Sequence, residues 1–156
     1  MLEVKFYDTV DDSLLKFAVI ISQSNGKWVF CKHKERDTYE VPGGHREAGE
    51  NILETAKREL QEETGAIKFD IKLVCVYSVT GKTRVNDTGE ESFGGLYFAE
   101  ISEFAKELHS EMEKVVLMDG LPDNWTYPLI QPKLIEKYLQ IERQTYSKIQ
   151  LAQSKL

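Results

Sequence analysis

Glu59, Glu62 and Glu63 stand at i, i+3 and i+4 of a segment whose apolar residues recur at helical spacing. At 3.6 residues per turn such positions project within an arc of about 100°. Like charges at these spacings repel, by a few tenths of a kcal/mol per pair (roughly 0.2–0.5). Only Arg58 stands beside the three acids, and Gln61 is neutral. A Glu-rich helix face is more often plain solvated surface. Carboxylate oxygens converging on one patch are also what Mg²⁺ or Mn²⁺ requires. Upstream, Gly43 and Gly44 follow Pro42, a combination that lets the backbone come close and could offer a bare carbonyl to the same place.

The surrounding pattern gives the elements that must position these acids. Leu14 to Ser22 is rich in Leu, Val, Ile and Phe and reads as a buried strand. Asn25-Gly26 predicts a hairpin turn, and Trp28 to Lys32 its partner strand. Lys32 to Thr38 reads as a charged loop, and Glu40 to Gly44 as a break in regular structure. Ile52, Leu53, Ala56 and Leu60 form the apolar stripe of a helix that Gly65 ends. Phe69 to Val79 and Phe93 to Ile101 read as strands flanking a polar loop over Thr80 to Glu91, with Gly94-Gly95 marking a bulge. Met112 to Met118 is a further short strand. Leu121 to Pro132 holds three prolines and reads as a loop, and a second long helix runs from Lys133 to about Leu151. Strands, helix, strands and helix in that order predict an α/β protein, a mixed sheet with helices on its two faces. No repeat or linker divides the chain, so residues 1–156 are expected to form one domain.

The 156 residues carry 26 acids against 20 Lys and Arg, a net charge of −6. That balance argues against duplex DNA or an anionic membrane as partner, since both attract basic surfaces. It leaves open a polyanionic substrate that a metal ion reconciles with an acidic site. Cys31 and Cys75 sit in apolar runs and read as buried free thiols, with neither a disulfide framework nor a zinc spacing. The N-terminus lacks a basic segment followed by an apolar stretch, so no signal peptide is expected. A reducing, cytoplasmic setting is the default expectation. Gly81-Lys82-Thr83 lacks the earlier glycine of a phosphate loop, because Val76 stands there. His33, His45 and His109 have no paired spacing for a metal.

From Gly44, five residues lead to Glu50 and seven more to Arg58-Glu59-Leu60-Gln61-Glu62-Glu63-Thr64-Gly65. This resembles the Nudix box, and every fixed position through Gly65 matches. One departure is Ala66, where a larger aliphatic residue is usual; Ile67 follows directly. The resemblance extends loosely to Tyr39-Glu40-Val41-Pro42-Gly43. It implies a Nudix fold, an α/β/α sandwich around a mixed sheet. It implies hydrolysis of a nucleoside diphosphate linked to another group, with Mg²⁺ or Mn²⁺ as cofactor. By the same resemblance Glu59, Glu62 and Glu63 would hold metal with the Gly44 carbonyl, and Glu50 would pair with Arg58. Glu47 matches an acid of variable role. Glu111 is the candidate for an additional acid from a later loop, against the alternative that it only keeps a strand end soluble. Lys32 would be a basic phosphate contact, or simply a strand-end lysine.

The implied activity is that of a MutT-like pyrophosphohydrolase acting on nucleoside triphosphates, with 8-oxo-dGTP one possibility. The MutT branch reads the oxidised base with an asparagine just before the last helix. Here Ile130 or Gln131 occupies that place, and the nearest asparagine is Asn124. Triphosphorylated RNA 5′ ends are the runner-up substrate, and a non-catalytic nucleotide-sensing module is a third reading. The intact Glu59, Glu62 and Glu63 argue against that module, because such modules usually lose box acids. Trp125 and Tyr127 could stack on a base, but packing between helix and sheet is the favoured reading. The assembly is expected to be a monomer or homodimer.

Overall fold

The computed structural model describes residues 2–83, 86–107 and 112–154. Eight strands form one sheet: β1 (Glu3–Tyr7), β2 (Leu15–Ser24), β3 (Lys27–His33), β4 (Tyr39–Glu40), β5 (Gly43–His45), β6 (Ala66–Thr80), β7 (Ser92–Phe104) and β8 (Met112–Met118). The main path runs β1-β6-β7-β2-β3-β4, with β5 on β2 and β8 on β3. The β2–β7 pair is parallel and the other pairs are antiparallel, so the sheet is mixed. Helix α1 (Ile52–Thr64) and helix α2 (Gln131–Ser154) complete the α/β architecture.

Period-two alternation divides the core between the two helices. Ala18, Ile20, Val29, Val76 and Tyr97 pack with Ile52, Ala56 and Leu60 of α1. Their neighbours Ile21, Phe30, Tyr77 and Leu96 pack with Leu134, Ile135 and Tyr138 of α2. Trp125 sets its ring edge-on to Phe30, with centroids 5.5 Å apart, which agrees with a packing role. Both cysteines are buried and free. Among the described residues no helix is long and apolar enough to cross a membrane.

Local chemistry fixes most element ends. Asn25 (φ 52°) and Gly26 (φ 76°) both take positive φ, as a tight hairpin turn requires. Asn51 caps α1 reciprocally with Glu54, and Gly65 ends it at φ 74°. The sheet irregularity expected at Gly94-Gly95 falls across the ladder, in β2 between Leu15 and Phe17. Gly94 is needed there because a Cβ would overlap the Phe17 ring. β1 was not anticipated, although Val4 and Phe6 alternate with Glu3 and Lys5. α2 starts at Gln131, two residues before the expected Lys133, because Pro132 sits in the first turn, where a missing N–H costs nothing.

The stretch read as a break, Glu40 to Gly44, belongs to two short strands instead. β3 pairs with β2 only next to the hairpin, at Gln23–Trp28 and Ser24–Lys27. Beyond that the two strands diverge, and the chain from Tyr39 to His45 enters the split. Its first part joins β3 as β4 and its last part joins β2 as β5. This split delivers Gly43 and Gly44 to the face of α1. Because Leu60 is fully buried in the seam that holds α1 in place, Leu60→Ala is expected to cost about 2–5 kcal/mol. Urea denaturation measures it, and a loss below about 1 kcal/mol would contradict the packing described.

Candidate active site

Glu63 continues the buried seam of α1 beyond Ala56 and Leu60 and is only 9% exposed. Its Oε1 accepts a hydrogen bond of 2.8 Å from the Gly43 N–H. The Cys31 thiol donates to the Glu63 main-chain carbonyl at 3.4 Å, tying the end of α1 to β3. Glu59 lies one turn earlier on the same face. Gly44 is packed so tightly on it that a Cβ would overlap its carboxylate. Glu63 thus meets the Gly43 end of this turn and Glu59 the Gly44 end. Burial raises both carboxyls, Glu63 to about 9, and in Glu63 the neighbouring Glu59 and Glu40 add to the rise. Glu40 is buried on β4 and is also raised by burial. In the sequence this fourth acid stands only in the loose extension of the box, with no role assigned to it; its place just before Pro42-Gly43-Gly44 was the available signal.

Arg58 organises the other side. Its Nε and Nη2 grip Glu50 at 2.7 and 3.1 Å, and Nη2 also donates to the His45 carbonyl at 3.0 Å. Nη1 lies 2.7 Å from Glu59 and 3.5 Å from Glu62. Glu47 stands 3.7 Å from the same nitrogen. Glu62 is the outer acid, with 54% of its side chain exposed. Thus Glu59 and Glu63 lie against neighbouring residues of one glycine turn, and Glu62 joins Glu59 through Arg58. Among the described residues no three His, Cys, Asp or Glu side chains surround a common metal position. The donor set nevertheless suits a hard divalent cation. It consists of carboxylates held at close quarters beside a backbone cradle that only glycine leaves open.

Gly43 and Gly44 also belong to the wall of a cleft of about 140 Å³ on the α2 side of the sheet. Phe17, Val41, Tyr77 and Ile130 make it apolar, and Asn86 and Tyr127 add polar groups. The two amides near the start of α2 are engaged with main chain. Asn124 donates to the Asp37 carbonyl at 2.7 Å, and Gln131 binds Val41. Lys32 lies outside the cleft lining, with Nζ 3.9 Å from Asp37 and its side chain 14% exposed. Glu111 falls outside the described residues.

The grip of Arg58, followed by the Glu47 N–H, lowers the Glu50 carboxyl from 4.5 to about 2. A folded-state pKa below the unfolded one contributes stability above about pH 4.5, and that stability is lost as pH falls toward about 2. The stability gap between wild type and Glu50→Gln is therefore expected to be constant above about pH 5 and to close between about pH 4.5 and 2. Chemical denaturation across that range measures it. A gap unchanged down to pH 2 would show that Arg58 does not hold Glu50 ionised.

Comparison with known proteins agrees with the fold and the box. Residues 13–124 match the NUDIX domain. Bacillus subtilis YtkD, provisionally named an 8-oxo-dGTP diphosphatase, is 34% identical over 123 residues, covering 78% of this chain and 73% of that protein. The crystal structure of the Bacillus subtilis pyrophosphohydrolase BsRppH superposes with a TM-score of 0.72 at 28% identity, covering 89% and 90% of the two chains. A NUDIX hydrolase from Nitrosomonas europaea shares the fold at 19% identity, with a TM-score of 0.63 over 81% and 89% of the chains. With the box, the acids and the fold agreeing, the chain belongs to the Nudix family and is a hydrolase of phosphoanhydride bonds.

Proposed function

We propose that this chain is a divalent-metal-dependent pyrophosphohydrolase of nucleoside 5′-triphosphates. One observation carries the reading: the Gly43-Gly44 turn has the acids on one side and the apolar cleft on the other. A base seated in the cleft would present its phosphate chain toward the turn. Glu59, Glu62, Glu63 and the Gly44 carbonyl would hold Mg²⁺ or Mn²⁺. The ion would neutralise phosphate charge and acidify a bound water.

The chain's own residues do the remaining work. Arg58 fixes Glu59 and anchors the loop from His45 to Glu50 against α1. Glu62, the half-exposed acid, is accessible to the attacking water and can accept its proton. Glu111, immediately before β8, is the second candidate for that proton. Lys32, beside Asp37 and outside the cleft lining, stays a candidate phosphate contact.

Glu62→Gln is expected to lower kcat by at least about 100-fold, ~2.7 kcal/mol in barrier, while leaving the melting curve close to wild type. Steady-state pyrophosphate or phosphate release measures it. Near-wild-type turnover would remove Glu62 from the mechanism. A chelator should abolish the same activity, and excess Mg²⁺ or Mn²⁺ should restore it.

The YtkD relative makes 8-oxo-dGTP the first substrate to test. Strong discrimination needs a polar group placed to pair with the oxidised base. Asn124 and Gln131 are both turned to main chain, and the Asn86 amide in the cleft wall is held by the Glu90 carbonyl and Thr88. We therefore expect kcat/KM for 8-oxo-dGTP to exceed that for dGTP by less than about tenfold, ~1.4 kcal/mol. A panel adding the other nucleoside triphosphates and triphosphorylated RNA measures this and ranks the leaving groups. A preference of several hundredfold for the oxidised base would overturn the reading of the cleft.

A further inference from the structure

We infer that Gln131, at the start of α2, is a positioning residue for the acid site on the opposite face of the sheet. Val41 spans the gap between β4 and β5, where β2 and β3 have diverged and none of the described strand pairs includes it. The buried Gln131 amide takes the place of that strand. Its Oε1 accepts from the Val41 N–H at 2.9 Å, and its Nε2 donates to the Val41 carbonyl at 3.4 Å. The next links lead directly to the acids. The Ile20 N–H holds the Pro42 carbonyl at 2.9 Å, and the Gly43 N–H holds Glu63 at 2.8 Å. The Gly44 backbone then packs on Glu59.

Glutamine suits this place for reasons of reach and chemistry. It supplies one donor and one acceptor on a single rigid amide, matching what a strand residue needs. The same amide is thereby withdrawn from the cleft that Gln131 lines. Its contribution to the reaction is to fix where the Gly43 N–H and Gly44 backbone sit, without touching the reacting atoms.

The inference rests on the reading of Glu59, Glu62 and Glu63 as metal-holding acids. Its test measures Mn²⁺ affinity by electron paramagnetic resonance, with amide exchange at Gly43, in wild type and Gln131→Met. The Met variant keeps length and burial but removes both hydrogen bonds. We expect the Gly43 amide to lose protection, the Mn²⁺ Kd to rise about fivefold and kcat to fall about tenfold. The KM for a nucleoside triphosphate at saturating metal should move less than about twofold. If Gln131→Met does not fold, Gln131→Glu keeps the acceptor for Val41 and is expected to show the same changes at smaller size. A folded variant with wild-type Mn²⁺ Kd and Gly43 protection overturns the inference while leaving the acids' role intact. Wild type that binds no Mn²⁺ overturns both.

Discussion

Carboxylates crowded against one glycine turn in a half-buried place are the constraint on which the rest of this structure depends. Glu63 is carried inward because it occupies the seam that Ala56 and Leu60 define, and Glu59 lies one turn away on the same side. Burial opposes ionisation of both, and the nearby charge of Glu59 and Glu40 adds to that in Glu63. The protein answers with the Gly43 N–H on one acid and the Arg58 guanidinium on the other. Acids crowded together out of water are where a divalent cation finds strong compensation.

The fold is arranged around that requirement. The divergence of β2 and β3 opens a slot into which the chain from Tyr39 to His45 is laid, and this brings two glycines against a helix. At Gly44 any side chain would displace the Glu59 carboxylate. Arg58 also joins loop and helix through Glu50 and the His45 carbonyl, which ties the loop after the glycine turn to the helix that carries the acids. The cleft lies on the other side of the same turn, which lets one short segment face both a phosphate site and an apolar slot.

Much of this was legible in residue types and spacing. Asn25-Gly26, the apolar stripe of α1 and the terminating Gly65 each reflect a local backbone demand, and all three appear where the sequence places them. The box acids were legible because helix geometry converts sequence spacing into direction. What was not legible depends on distant partners. Glu40 to Gly44 reads as a break because Pro42 and two glycines lack strand propensity, yet neighbouring strands recruit the stretch into the sheet. Likewise nothing local announces that the Gln131 amide binds Val41, ninety positions away along the chain. The burial of Glu63 rather than its exposure follows from the phase of the helix against the sheet, which spacing alone suggested only for the apolar residues.

The most direct measurement of the central claim is anomalous diffraction from crystals of this protein grown with Mn²⁺. The account predicts a peak bonded to the carboxylates of Glu59 and Glu63 and to the Gly44 carbonyl. Mn²⁺ bound elsewhere, with Glu59 and Glu63 carrying no ion, would contradict it.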